Sequence, residues 1–340
     1  MAGRQLELRL EVQSNPVADV VSALFAIVGP VLKGTLYGLK REVVEDAGGY
    51  ENIKLRQLAR LYRPGDGDCG ICFEYAVHDA LNTGDAAVVE RVYDALYRCG
   101  LQSDIAPTSI LFGAEKAGAL QLIDTIRERF TDNSRLMSGS RGRPVSLKKH
   151  IDGVVSAFRK PSARKSLPSS ISGLWKADLF TGFTDTDRWV GTSLKINPTD
   201  LRPAKGIRIG IVPSSQGASD AIEERGKLIV CPLPYDGAFV EVFYRAFGIV
   251  QQFIAADAML PRPVALAKPQ ERYVAKYLEE RREFPVVDVI SALHPIAQPE
   301  LLATEKRYAD VQFSREAQTI AQAVLAPVPR RPDLQQLELL

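Results

Sequence analysis

The run KADLFTGFTDTDRWVGTSLKINP, residues 176–198, constrains the fold more than any other stretch of the chain. Two segments rich in aromatic and β-branched residues flank four polar ones, Thr184-Asp185-Thr186-Asp187, and this is the pattern of an antiparallel hairpin. With Thr184 and Asp187 paired across the turn, Asp178 stands opposite Ser193 and two residues from the level of Lys195. Alternation along the second strand puts Val190, Thr192, Leu194 and Ile196 on the core face. Trp189, Gly191, Ser193, Lys195 and Asn197 then face solvent or a cleft. An acid, a hydroxyl and an ammonium thus converge on one patch.

The strand pattern continues through KGIRIGIVP and KLIVCPLP, and GLWKADLFTGF and RWVGTSLKIN supply the hairpin itself. The segment AFVEVFYRAFGIVQQFIAADA is apolar on most sides, which predicts a helix packed against that sheet. Ahead of the hairpin, a short opening strand, LELRLEV, precedes segments with helical periodicity: VADVVSALFAIV, ENIKLRQLARLY, ICFEYAVHDAL, AAVVERVYDALYRC and AGALQLIDTIRERF. After the core come a charged helix, PQERYVAKYLEERREF, and another around SREAQTIAQAVL. Helices, a four-strand core and more helices predict an α/β (α+β) fold, a mixed sheet flanked by helices with helical elaborations at both ends. The expected organisation is a mainly helical region 1–133, a basic linker with one helix at 134–173, a β-rich core at 174–260, and a helical region 261–340 with a Pro-containing tail.

The whole chain of 340 residues carries a net charge of only +2, so any surface that attracts a polyanion must be local. One such concentration exists. From Arg135 to Lys165 there are nine Lys or Arg against a single acid, Asp152. Arg141, Arg143, Lys148, Lys149, Arg159 and Lys160 are the candidate phosphate contacts, and a solvated linker is the competing reading. Four cysteines, Cys69, Cys72, Cys99 and Cys231, and no leader-like segment point to a reduced cytoplasmic protein rather than a disulfide scaffold. The apolar stretches 16–32 and 238–260 are interrupted by Asp19 and Pro30, and by Glu241, Arg245, Gln251 and Gln252, so no membrane association is expected.

An acid beside an ammonium suits phosphoryl chemistry. A hard divalent cation takes oxygen ligands and keeps several waters, so one or two carboxylates and a substrate phosphate suffice to hold it. A neighbouring lysine can position the attacking water and share the developing charge.

An aspartate on one strand, a short hairpin, and an acid-x-Lys triplet on the next strand is the signature of the PD-(D/E)xK superfamily, the restriction-endonuclease-like nucleases. The chain resembles it at Ala177-Asp178 and at Ser193-Leu194-Lys195, with fourteen residues between Asp178 and Ser193. The resemblance covers roughly residues 65–258. It implies a restriction-endonuclease-like core and a Mg²⁺- or Mn²⁺-dependent endonuclease acting on DNA, alone, as a homodimer or with a partner subunit, in a setting such as restriction or phage defence. Asp178, Ser193 and Lys195 would form the catalytic group, joined by Glu74 on the helix ahead of the hairpin. Asp178, Glu74 and the Leu194 backbone carbonyl would hold the metal. Ser193 stands where the family has an acid, so Glu74 is the first candidate to replace it, with Asp220, Glu223 and Glu224 behind it.

Other classes are represented too. A DNA-binding protein with a degenerate nuclease fold would have the same core without cleavage. Cys69-Gly70-Ile71-Cys72-Phe73 is similar to the run around the nucleophile of papain-like proteases, which makes Cys72 a candidate thiol with His78, His150 or His294 as base. Cys69, Cys72, His78 and Cys99 could also be asked to bind zinc, at poor spacing. No phosphate-binding Gly-Lys-Ser/Thr loop or dinucleotide fingerprint occurs.

Overall fold

A helix that is apolar on nearly every side has to be surrounded by protein, and the chain wraps its first helix accordingly. The computed structural model describes residues 16–63, 68–112, 128–137, 144–146, 148–153, 156, 160–168, 177–202, 206–235 and 239–297. Helix α1 (Pro16–Tyr37) packs against α4 (Asp68–Thr83), α6 (Phe239–Ala255), α7 (Pro269–Glu280) and α8 (Val286–Leu293). Leu24, Ile27, Val28, Val31, Leu32 and Leu36 are completely excluded from solvent. The stretch Val20–Tyr37 is long and apolar enough to cross a membrane, and 78% of it is buried inside the protein. Its one cation in mid-helix, Lys33, pairs with Asp79 of α4 at 2.9 Å.

Short helices α2 (Arg41–Asp46) and α3 (Leu55–Leu61) follow α1. Helix α5 (Ala86–Arg98) starts at Asp85, whose carboxylate accepts the Val88 amide at 3.0 Å as an N-cap. Its buried residues Val88, Val92, Ala95 and Leu96 recur at helical spacing, and the helix packs on the strand Leu228–Leu233.

The sheet contains β1 (Thr108–Leu111), β2 (Arg135–Leu136), β3 (Val145–Ser146), β4 (Leu179–Phe183), β5 (Arg188–Leu194), β6 (Arg208–Pro213), β7 (Glu223–Arg225) and β8 (Leu228–Leu233). Its order is β1-β4-β5-β6-β8-β7. The pairs β1/β4, β4/β5 and β8/β7 are antiparallel, and β5/β6 and β6/β8 are parallel. Strand β2 pairs parallel with the start of β5, and β6 joins β5 from Thr192 onward. Mixed α/β content with helices around a mixed sheet agrees with the fold class read from the sequence. The hairpin register agrees too: Leu179 pairs with Thr192 and Phe183 with Arg188, around the turn 184–187.

Three expectations change. The sheet draws β1 from the region expected to be helical, because TSIL is too short to announce a strand. Residues 134–173 are not only a linker: they supply β2 and β3, and Leu136, Ile151 and Leu167 to a second apolar cluster with Phe180 and Trp189. The Trp189 face is consequently covered rather than open to solvent. Helices α7 and α8, in the expected C-terminal helical region, pack against α1. The opening strand at 6–12, most of AGALQLIDTIRERF and the helix around SREAQTIAQAVL lie outside the described residues.

Helices α1 and α4 cross closely at Gly34. A Cβ there would stand 2.7 Å from the Cys72 Cα, a backbone atom that cannot swing aside. Gly34→Ala is therefore expected to destabilise the protein by ~1–3 kcal/mol through overpacking, despite alanine's better helix propensity. Urea denaturation of wild type and variant measures the difference, and a more stable variant would show that the two helices can move apart.

Candidate functional site

The site forms where the β4/β5 ladder runs out. Beyond the Leu179–Thr192 pair, the Asp178 amide donates to the Thr192 carbonyl at 2.8 Å and the chain bends. The Leu194 amide on the facing strand is met by a side chain instead of a carbonyl: Asp178 Oδ2 accepts it at 2.8 Å. The same oxygen accepts from Lys195 Nζ at 3.1 Å. Asp178 is fully buried, and the Lys195 side chain keeps 34% of its exposure, so the pair opens to solvent only on the lysine side. The structure thus brings Asp178 and Lys195 together as the hairpin register predicted, but inside the protein and not as an exposed cross-strand pair.

Ser193 is buried beside them, and its partner was not foreseen from the sequence. Strands β5 and β6 run parallel with Ser193 next to Gly210, so Arg208, Gly210 and Val212 share the Ser193 face. Arg208 Nη1 donates to Ser193 Oγ at 3.3 Å, with only 5% of the arginine exposed. Burial lowers the pKa of its guanidinium, and the Asp178 carboxylate pushes it back up, so the two groups lie in each other's field. A Cβ on Gly210 would come within 2.8 Å of both Leu201 methyls; glycine lets Leu201 close over this face. The available signal was an arginine inside the otherwise apolar strand GIRIGIVP.

The turn of the hairpin is pinned independently. Asp187, at φ 50°, accepts from Thr131 Oγ1 and Ser134 Oγ at 2.6 Å and from Trp189 Nε1 at 2.9 Å. Burial acts to raise its pKa, but these donors and the Arg135 charge hold the carboxyl below its usual range.

Glu74 is buried on α4. On the same helix, His78 Nδ1 meets Ser109 Oγ at 2.8 Å, and Asn82 Oδ1 accepts the Ser109 amide at 3.0 Å. Asn82 Oδ1 also accepts from the Thr108 hydroxyl, so helix α4 runs antiparallel to β1. Glu74 shares the helix face of His78 and lies one turn, ~5.4 Å, nearer the Leu111–Leu179 end of the sheet. Asp178 belongs by alternation with Phe180, on the other face. The two acids approach one end of the sheet from its two sides.

The remaining acids are elsewhere. Asp220 is exposed, and Glu223 and Glu224 lie on β7, an exposed edge strand three positions from β5, hence ~14 Å away at ordinary strand spacing. Glu223 pairs with Arg225, and Glu224 lies 3.5 Å from Arg98. Neither lies near Ser193. Among the described residues, no group of three or more His, Cys, Asp or Glu side chains is placed to hold a metal ion, which also removes the zinc reading.

Cys72 lacks the surroundings of a nucleophile. It is buried against α1, its thiol donating to the Val31 carbonyl at 3.4 Å, and burial pushes its pKa up to about 12. A reactive thiol needs the opposite shift. His78, committed to Ser109, faces the sheet instead.

Within the basic segment, Arg141, Arg143 and Arg159 lie outside the described residues. Lys149 and Lys160 are exposed, and Lys148 is 3.3 Å from Asp132. Arg135 donates to the carbonyls of Asp132 and Ser134. Comparison with protein-family models, with curated proteins and with solved structures gives no match.

Burial pushes the pKa of His78 down to about 4. Between about 6.5 and 4 the unfolded chain binds a proton that folded His78 refuses, so stability falls as pH falls through that window. His78→Gln is expected to flatten this part of the stability profile, measured by urea unfolding at pH 7, 5.5 and 4.5. An unchanged slope would mean that other groups carry the acid sensitivity.

Proposed function

We propose that this protein is a metal-dependent endonuclease that hydrolyses DNA phosphodiester bonds at the Asp178–Lys195 site. The observation that carries the reading is the pairing of a fully buried carboxylate with a partly exposed ammonium at the open end of the hairpin. A buried glutamate on the preceding helix and the lysine one residue past the end of β5 support it, because the restriction-endonuclease-like resemblance implies those positions.

The donor chemistry fits Mg²⁺ or Mn²⁺. Asp178 offers hard carboxylate oxygen, and its Oδ2 is oriented by the Leu194 amide and the Lys195 ammonium. Asp178, the Leu194 carbonyl and Glu74 would hold the ion, and substrate phosphate and water would complete its shell. When bound, the ion supplies charge stabilisation at the phosphate and makes its water more acidic. The chain's own groups do the positioning. Leu194 N–H fixes one oxygen of Asp178, so the carboxylate keeps its orientation. The Lys195 ammonium, poised at the solvent-facing side, orients the attacking water and balances negative charge on the pentavalent phosphorus. The basic segment at 135–165 supplies sequence-independent backbone contacts through Lys149 and Lys160.

One feature favours a second reading, a DNA-binding protein that does not cleave. Asp178 caps a backbone amide, a role it can fill without any chemistry. Cleavage separates the two.

Purified protein is expected to nick plasmid DNA only with Mg²⁺ or Mn²⁺. Asp178→Asn preserves the acceptor for Leu194 and removes the charge; Lys195→Ala removes the ammonium. Each is expected to reduce the cleavage rate by at least about 100-fold with DNA binding retained. Full activity in both folded variants would sink the mechanism. No cleavage by wild type with any metal would leave the binding reading.

A further inference from the structure

We infer that the groove at the corner of α7 and α8, walled by Phe284, is a docking site for the chain's own Pro- and Arg-rich segment Pro327–Pro332. The inference is independent of the nuclease reading. The groove, of about 290 Å³, is lined by Glu280, Arg281, Phe284, Asp288, Val289 and Ala292. The Phe284 ring is 55% exposed, yet its backbone is fixed. Its amide donates to the Arg281 carbonyl and its carbonyl accepts the Leu55 amide, both at 3.0 Å. An aromatic ring held in water on a pinned backbone is a preformed platform. Arg281 adds a second planar surface, its guanidinium lying over the Tyr277 ring 3.4 Å from the centroid.

Charge selects the occupant. Arg281 is 3.7 Å from Glu280, which balances that pair. Asp288 is exposed on the first turn of α8 and has no ion pair among the described residues, so the groove carries an excess of negative charge. Residues 298–340 lie outside the described residues, and 327–332 of them read Pro-Val-Pro-Arg-Arg-Pro. Proline fixes φ and removes an N–H, so a run of this composition favours an extended polyproline helix, which loses little entropy on lying along an aromatic groove. Arg330 and Arg331 supply the opposite charge, and a guanidinium meets a carboxylate through two parallel N–H groups. The chain also leaves the described structure next to the groove, because Ala292 of its wall is five residues before Ala297. The residues between Ala297 and Pro327, as coil, have an end-to-end distance of about 30 Å, enough to turn back.

The test uses the full chain and a fluorescein-labelled peptide of residues 325–334, followed by anisotropy. In the wild type the tethered segment competes at an effective concentration on the order of 1 mM, which lowers the apparent affinity of a ~100 µM groove about tenfold. Arg330→Glu/Arg331→Glu in the protein is expected to free the groove, so that the unaltered peptide binds this variant about tenfold more tightly than it binds wild type. Adding Asp288→Asn or Phe284→Ala is expected to remove most of that gain. Both positions are exposed, and circular dichroism checks the fold. Equal peptide affinity in wild type and Arg330→Glu/Arg331→Glu would overturn the inference, as would no binding by the latter. A gain retained in both added variants would place the segment on another surface and overturn it too. A wild-type dimer in sedimentation equilibrium that Arg330→Glu/Arg331→Glu dissociates would assign the segment to a second copy's groove. Tighter binding of a peptide of residues 312–326 would give the groove a different occupant. Either of these outcomes overturns docking of 327–332 within one chain.

Discussion

One carboxylate oxygen, Oδ2 of Asp178, holds the end of β4 to β5. It accepts a backbone amide and an ammonium, and the aspartate itself is fully buried behind the partly exposed lysine. An ionised group in such a place is tolerated only when charge and hydrogen bonds compensate it, and the Leu194 amide, Lys195 and the field of Arg208 provide that. The polar strip is therefore a condition for closing the second face of the sheet as well as a place for chemistry. Trp189 and Phe180 cover that face on one side, and Leu201, Val212 and Val230 on the other.

The opposite face is organised by a different polar seam. Asn82 and His78 of α4 tie to Ser109, and Thr181 and Thr192 share a hydrogen bond at 2.7 Å across β4 and β5. These contacts are directional where the surrounding Leu, Val and Phe contacts are not, and they fix how far α4 slides along β1. The level of Glu74 relative to the end of the sheet follows from that seam. Helix position and strand register thus converge on one edge through two separate sets of hydrogen bonds.

Much of this was legible in the sequence where a local rule applied. Period-two alternation and a four-residue polar turn gave the hairpin, its register and the proximity of Asp178 and Lys195, because each of these depends on neighbours in sequence. What depended on distant packing was not legible. Nothing in LFTGF or RWVGT says that Phe130, Leu136, Ile151 and Leu167 will pack with Phe180 and Trp189, so both sides of the hairpin became core. Arg208 was overlooked because an arginine at the start of an apolar strand reads as a solvent-facing residue until the parallel pairing with β5 places it beside Ser193. Glu223 and Glu224 were attractive by charge alone, and the strand order put them at the far edge. Cys72 fits a sequence pattern for a nucleophile, but the packing of α1 over it decides its chemistry.

The wrapping of α1 has a consequence for how the chain emerges from the ribosome. Three of the four helices that cover it lie after residue 238, some two hundred residues downstream. At ordinary synthesis rates of ~5–20 residues per second, an 18-residue apolar helix stays uncovered for roughly ten to forty seconds. During that interval it has the composition of a membrane segment, and Lys33, the ion-pair partner of Asp79, is the one charge along it that argues otherwise. A nascent chain of this kind depends on early docking of α4 through Gly34, the one major covering helix among the described residues already made, to keep its most apolar surface from other partners.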